Sequence, residues 1–142
     1  MRVNDCFKKR LLRKGKHDFL KAQKALEMSE RKRERAENLF ESGFYEESIV
    51  SSYTSMFQAT RALLFRDGIT EKNHVCVIAY LREYYVKSLG PDRISWLDTY
   101  RLERHESFYG LDPSELDKQE AKDAIDKTEK FFSSIKDIVG EI

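Results

Sequence analysis

Proline and glycine are scarce in this chain: two prolines and six glycines in 142 residues. Sandwiches and barrels of short strands need far more turn material, so an all-β architecture is excluded. Cysteine is nearly absent. Cys6 and Cys76 form no CxxC, no ligand cluster and no framework, and two scattered thiols fit a reducing, cytoplasmic setting. No apolar run approaches the roughly 18 residues a membrane span needs. The opening residues, Met1-Arg2-Val3-Asn4-Asp5, lead into polar and basic residues rather than an apolar stretch, so no secretory signal is expected. Repeats and low-complexity tracts are missing. So are a P-loop, a GxGxxG, an HExxH, a Cys/His set and the Glu-x-x-His pairs of a di-iron bundle, and neither cofactor nor metal is expected.

What is abundant is charge. Charged residues make up 36% of the chain and apolar ones 40%, well above the usual quarter or so for charge, as in helical proteins with solvated outer faces. The net charge of +1 hides an asymmetry: residues 1–40 hold 13 Lys/Arg against 6 Asp/Glu, and residues 41–142 hold 13 against 19. A basic surface for nucleic acid or an acidic partner is one reading, and a solvated helix face is the other.

Apolar periodicity predicts helices over residues 18–42, 45–66, 73–89, 92–109 and from 112 to the end. Gly43, Gly68, Gly90 and Gly110 fall where these patterns stop. In the first helix Ser29-Glu30-Arg31-Lys32-Arg33-Glu34-Arg35 holds no apolar residue and is expected to face solvent or a partner. Ile49, Tyr53, Met56, Phe57, Thr60, Leu63 and Leu64 form the stripe of the second, and Asn73 is a candidate N-cap for the third. Asp112-Pro113-Ser114-Glu115 reads as a strong start for the fifth. Linkers of a few residues make consecutive helices antiparallel neighbours. The expected fold is all-α, an antiparallel up-down bundle of four main helices plus a short additional helix over 18–142, preceded by a basic N-terminal arm or short helix over 1–17.

The run Arg101-Leu102-Glu103-Arg104-His105-Glu106-Ser107-Phe108-Tyr109 carries the candidate chemistry. On a helix, Ile94, Leu97, Arg101, Arg104 and Phe108 share one face, so an apolar seam runs into two arginines with His105 alongside. Unpaired buried charge is costly. The arginines either pair with acids of other helices, such as Glu46 or Glu47, or line a cleft for an anion, where a planar guanidinium suits phosphate. An imidazole near its ordinary pKa beside Arg104 and Tyr109 could serve metal-independent RNA cleavage, with arginine holding the phosphorane. His74, at the start of the third helix, reads as a capping or packing histidine or as a further ligand-facing group.

Several stretches resemble the HEPN domain family in its small prokaryotic form. They are Ala36-Glu37-Asn38-Leu39-Phe40-Glu41-Ser42-Gly43-Phe44-Tyr45-Glu46-Glu47-Ser48-Ile49, then Ser52-Tyr53-Thr54-Ser55-Met56-Phe57-Gln58-Ala59-Thr60-Arg61-Ala62-Leu63-Leu64, Glu71-Lys72-Asn73-His74, Asp98-Thr99-Tyr100-Arg101 and Arg104-His105-Glu106-Ser107-Phe108-Tyr109-Gly110. The resemblance implies a helical bundle that is commonly a homodimer. It also implies nucleotide or RNA binding at Arg101, Arg104, His105 and His74, and a minimal nucleotidyltransferase as protein partner in a toxin–antitoxin-like pair. Active members of the family are metal-independent ribonucleases with an Arg-x4–6-His motif. Arg104 fits its arginine, and Tyr109 stands where the histidine would fall at the shortest spacing. The expected function is a nucleotide- or RNA-binding module. The alternatives are an endoribonuclease using Arg104, His105 and Tyr109, and a non-catalytic interaction bundle.

Overall fold

The computed structural model describes residues 1–109 and 118–140, with side chains described over 1–102 and 118–140. In chain order the elements are α1 (Val3–Lys8), β1 (Leu12–Lys14), α2 (Phe19–Glu41), α3 (Tyr45–Asp67), β2 (Ile69–Glu71), α4 (His74–Tyr84), α5 (Val86–Leu89), α6 (Pro91–Tyr109) and α7 (Lys118–Val139). Helices α2, α3, α6 and α7 are the four long members of the all-α bundle, and α4 is the shorter addition. Among the described residues no helix is long and apolar enough to cross a membrane. The start signal around Asp112-Pro113 lies outside the described residues.

Local chemistry sets the boundaries. Asp18 caps α2 by accepting from the Lys21 N–H, 3.0 Å, and Asn73 caps α4 by accepting from the Cys76 N–H, 3.0 Å. The third helix of the sequence reading divides in two, because Tyr85 leaves helical geometry at φ −126°, ψ 9° and α5 follows as a single turn. Gly68 ends α3 at φ 76°. A Cβ there would collide with the Gly15 carbonyl oxygen, so only glycine lets β1 and β2 come together at this end.

Helices α2 and α3 pack through small residues. Ala22, Ala25, Ser29 and Ala36 are buried on α2, facing Ser48, Ser51, Ser52, Ser55, Ala59 and Ala62 on α3. Ser29 Oγ donates to the Ser55 carbonyl, 2.7 Å, and Ser55 Oγ donates back to the Ser29 carbonyl, 2.8 Å. Ser48 and Ser51 donate likewise to the carbonyls of Ala36 and Lys32. The register 29 to 55, 32 to 51, 36 to 48 makes the pair antiparallel. The heptad read as facing solvent or a partner thus contributes Ser29 to the buried interface, while the half-buried Arg33 bridges Glu30 and Glu37 and the exposed positions are Arg31, Glu34 and Arg35. Helix α7 lies parallel to α3: Thr128 Oγ1 reaches the Ser52 carbonyl and Arg66 Nη1 the Ile138 carbonyl, 2.6 Å.

The N-terminal residues hold the short helix α1 and, after it, the strand β1. Leu12, Arg13 and Lys14 pair antiparallel with Glu71, Thr70 and Ile69, and Val3, Cys6 and Leu12 are buried in the common core. The cysteines, read as unpaired, form a disulfide between Cys6 of α1 and Cys76 of α4, Cα–Cα 5.8 Å. A sequence separation of 70 conceals the pair, and the strand pairing that folds the N-terminus back onto α4 brings it together.

Candidate nucleotide-binding cavity on helix α6

Helix α6 begins at Pro91, after Gly90. Ile94, Leu97 and Tyr100 are buried, while Asp98 and Arg101 sit at the edge of the core, half-buried. The seam therefore turns from apolar to charged at Arg101, where the sequence spacing placed the change. Asp98, one turn earlier, takes Arg101 side-on: its Oδ1 is 3.0 Å from Nε and 3.0 Å from Nη2. Its Oδ2 lies 3.6 Å from Nη2 of Arg82, on α4. One carboxylate thus faces two guanidiniums from two helices. Glu46 and Glu47, the partners suggested by the sequence, instead line a cleft with Lys32 and Arg35 between α2 and α3.

The pair borders a cavity of about 510 Å³ between the chain start, α4 and α6, whose walls include Arg2, Val75, Arg82, Asp98 and Arg101. Among the described residues the wall of the cavity holds two carboxylates (Glu83, Asp98) against three guanidiniums, a net positive charge. A phosphate entering it could share Arg101 with Asp98 or take Arg82 from its longer contact. Both are bidentate donors suited to phosphate oxygens.

His74 is not part of this wall. Its Nδ1 lies 2.8 Å from the Tyr53 hydroxyl, and its ring is tilted against Phe57 with centroids 4.0 Å apart. It packs between α4 and α3. Arg104, His105 and Tyr109 lie on the last turns of α6, and their side chains fall outside the described residues. Two contributors escaped the sequence reading. Asp98 lay inside a quoted stretch without a role, and its spacing of three from Arg101 was the available signal. Arg82 gave none, because its place follows from how α4 crosses α6.

A second polar cluster ties α3 to α4 and α7. Tyr80 and Tyr85 both donate to Asp67 Oδ2, the former at 2.8 Å, and Arg66 Nη2 donates to the Tyr85 hydroxyl, 2.9 Å. Burial first, and the Asp67 carboxylate second, hold both phenols above their ordinary range, Tyr85 pushed up to about 12. This cluster serves the junction of three helices rather than a cavity.

Comparison with known proteins agrees with this architecture. A Methanocaldococcus jannaschii protein named as a candidate toxin is 28% identical over 116 residues, covering 80% of this chain and 78% of that protein. The family model described as HEPN domain matches residues 22–138, from α2 to the end of α7. With the bundle, the small-residue α2–α3 pair and the arginine-bearing α6 all inside that match, the chain belongs to the HEPN domain family.

Proposed function

We propose that this HEPN chain is a nucleotide- or RNA-binding module that uses Arg101, with Arg104 and His105 further along α6, to hold phosphate. We further propose that it works as the toxin-like half of a pair whose other half is a minimal nucleotidyltransferase. The observation that carries the binding role is the cavity on α6, where Arg101 and Arg82 share the single carboxylate of Asp98. A guanidinium that is half-buried, oriented by a neighbour and beside an open volume is preorganised for an anion. The toxin-like role draws on the name of the Methanocaldococcus jannaschii relative and on the family. The partner draws on the family resemblance, as does the homodimer, and the exposed Val75 (41%) in the cavity wall offers apolar surface that a second copy would cover. In the cytoplasm such a module meets both nucleotides and RNA.

Thermal-shift measurements with nucleotides and short RNA test the binding role. A ligand at about 100 times its Kd stabilises by about 2.7 kcal/mol, a readable rise in melting temperature. Arg101→Ala should abolish the rise with mononucleotides while the protein stays folded. No rise with any nucleotide or RNA, together with an Arg101→Ala effect confined to stability, would overturn it. Copurification of a minimal nucleotidyltransferase with this chain from its native cells tests the pairing, and its absence from the purified protein would count against it.

A further inference from the structure

The twelve residues from Cys6 to His17 contain six Lys/Arg and no acid. Lys8, Lys9, Arg10, Arg13, Lys14 and Lys16 are all exposed, and none takes part in an ion pair among the described residues. This charge sits on a fixed frame. Leu12 is buried, β1 is paired with β2, and α1 is bonded to α4 through Cys6–Cys76. Between this frame and the end of α4 runs a groove of about 560 Å³ lined by Phe7, Arg10, Arg13, Lys14 and Tyr84, with no acid among the described residues of its wall. Tyr84 is 54% exposed despite its size. Its ring leans on Tyr80, centroids 4.9 Å apart, and is held as a platform.

Arg10 adds an independent sign. The Leu11 N–H reaches the Cys6 carbonyl and the Arg10 N–H the Phe7 carbonyl, a helix-ending pattern whose left-handed position usually holds glycine. Here that position is Arg10, at φ 57°, although a side chain costs energy there. Strain of this kind marks positions kept for something other than stability.

We propose that this groove binds single-stranded RNA, with phosphates on Arg10, Arg13 and Lys14 and a base stacked on Tyr84. Cations that track a backbone, combined with an exposed aromatic ring, are the means by which single strands are held. An acidic protein segment would use the cations and leave the ring idle, and a duplex keeps its bases stacked inward. Asn4 lines both this groove and the α6 cavity, so one strand can run from Tyr84 past α1 to Arg101. The inference rests on the reading above only for that far end of the strand.

The test is fluorescence anisotropy of an end-labelled single-stranded RNA of about 12 nucleotides, within the span typical of such sites, titrated at several salt concentrations. Replacing Arg13 and Lys14 together by Ala should weaken binding and reduce the log K against log salt slope by about 1.4. Tyr84→Ala should weaken binding roughly tenfold or more with the slope kept, and Tyr84→Phe should bind as the parent does. Arg10→Gly should weaken binding while raising the melting temperature, an opposition that unfolding cannot produce. If Tyr84→Ala binds normally and inorganic polyphosphate competes as well as RNA, the groove is a general anionic surface and the proposal falls. If Arg101→Ala abolishes RNA binding and the groove variants do not, the α6 reading stands and the groove is wrong. The converse keeps the groove and removes Arg101.

Discussion

Tyr80 and Tyr85 share one acceptor oxygen on Asp67, and each is poorly placed to ionise: burial removes water from the phenolate and the carboxylate repels it. A group whose folded pKa is raised favours the folded state wherever it is still protonated. That contribution is full below the ordinary tyrosine value near 10.0 and is lost as pH rises through the folded value, about 12 for Tyr85. The expected outcome is a protein whose stability falls steadily between about pH 10 and 12. Absorbance titration of the tyrosines should show Tyr80 and Tyr85 ionising late, with the lag lost in denaturant. Asp67→Asn should bring both partway down and leave the part due to burial. If the tyrosines all ionise together in the native protein, the junction is not built as described. This cluster was invisible to sequence reading, since Asp67, Tyr80 and Tyr85 come from three places along the chain and are collected only by packing. The place of Arg101 at the edge of the core was legible because its face lies within one helix, where spacing fixes position, whereas its partner Asp98 was missed.

At the scale of elements, the α2–α3 pair is held by hydroxyls as much as by apolar contact. Ser29 and Ser55 exchange hydrogen bonds with each other's carbonyls while fully buried. Each is worth about 1 kcal/mol net. Ser29→Ala and Ser55→Ala should each cost about that, and the double variant less than their sum, since both remove parts of one interaction. Ser29→Leu should cost more, because the backbones approach closely and the extra volume has nowhere to go. Denaturant unfolding of the four proteins of the cycle measures the coupling, and strict additivity would mean the two serines act independently. The same interface explains what the sequence left unread. The boundaries of α2 and α3 were legible within a residue or so from caps, glycines and apolar spacing. The Ser29–Arg35 heptad was not, because periodicity counts serine as polar whereas here it is the residue small enough to be buried and able to satisfy itself. Strands of three residues such as β1 and β2 are too short to establish an alternation, and their pairing depends on Gly15 and Gly68 coming together across 52 intervening positions.

For the whole molecule, the question is how the first residues belong to the domain. The family match begins at residue 22, yet Val3, Cys6 and Leu12 share the core with α3 and α4. The Cys6–Cys76 bond closes a loop of 70 residues. In the chain-entropy account such a cross-link stabilises by about 4 kcal/mol, chiefly by restricting the unfolded chain. Reduction of the parent protein, and Cys76→Ser, should therefore lower unfolding free energy by up to that amount, with similar values from both. Hydrogen exchange should resolve where the loss falls. The α1–β1 segment has few buried side chains of its own, so on reduction it should open first, while α2, α3 and α7, joined by their serine and apolar contacts, keep their protection. Uniform loss of protection across the bundle would mean that the N-terminal segment is part of the cooperative core rather than a clasp laid against it. If it opens alone, the frame that sets Arg10 and Arg13 against Tyr84 opens with it. RNA affinity should then fall under reduction and return on reoxidation, and the affinity of the Arg101 cavity for mononucleotides should fall with it, since Met1, Arg2, Val3 and Asn4 form part of that cavity's wall.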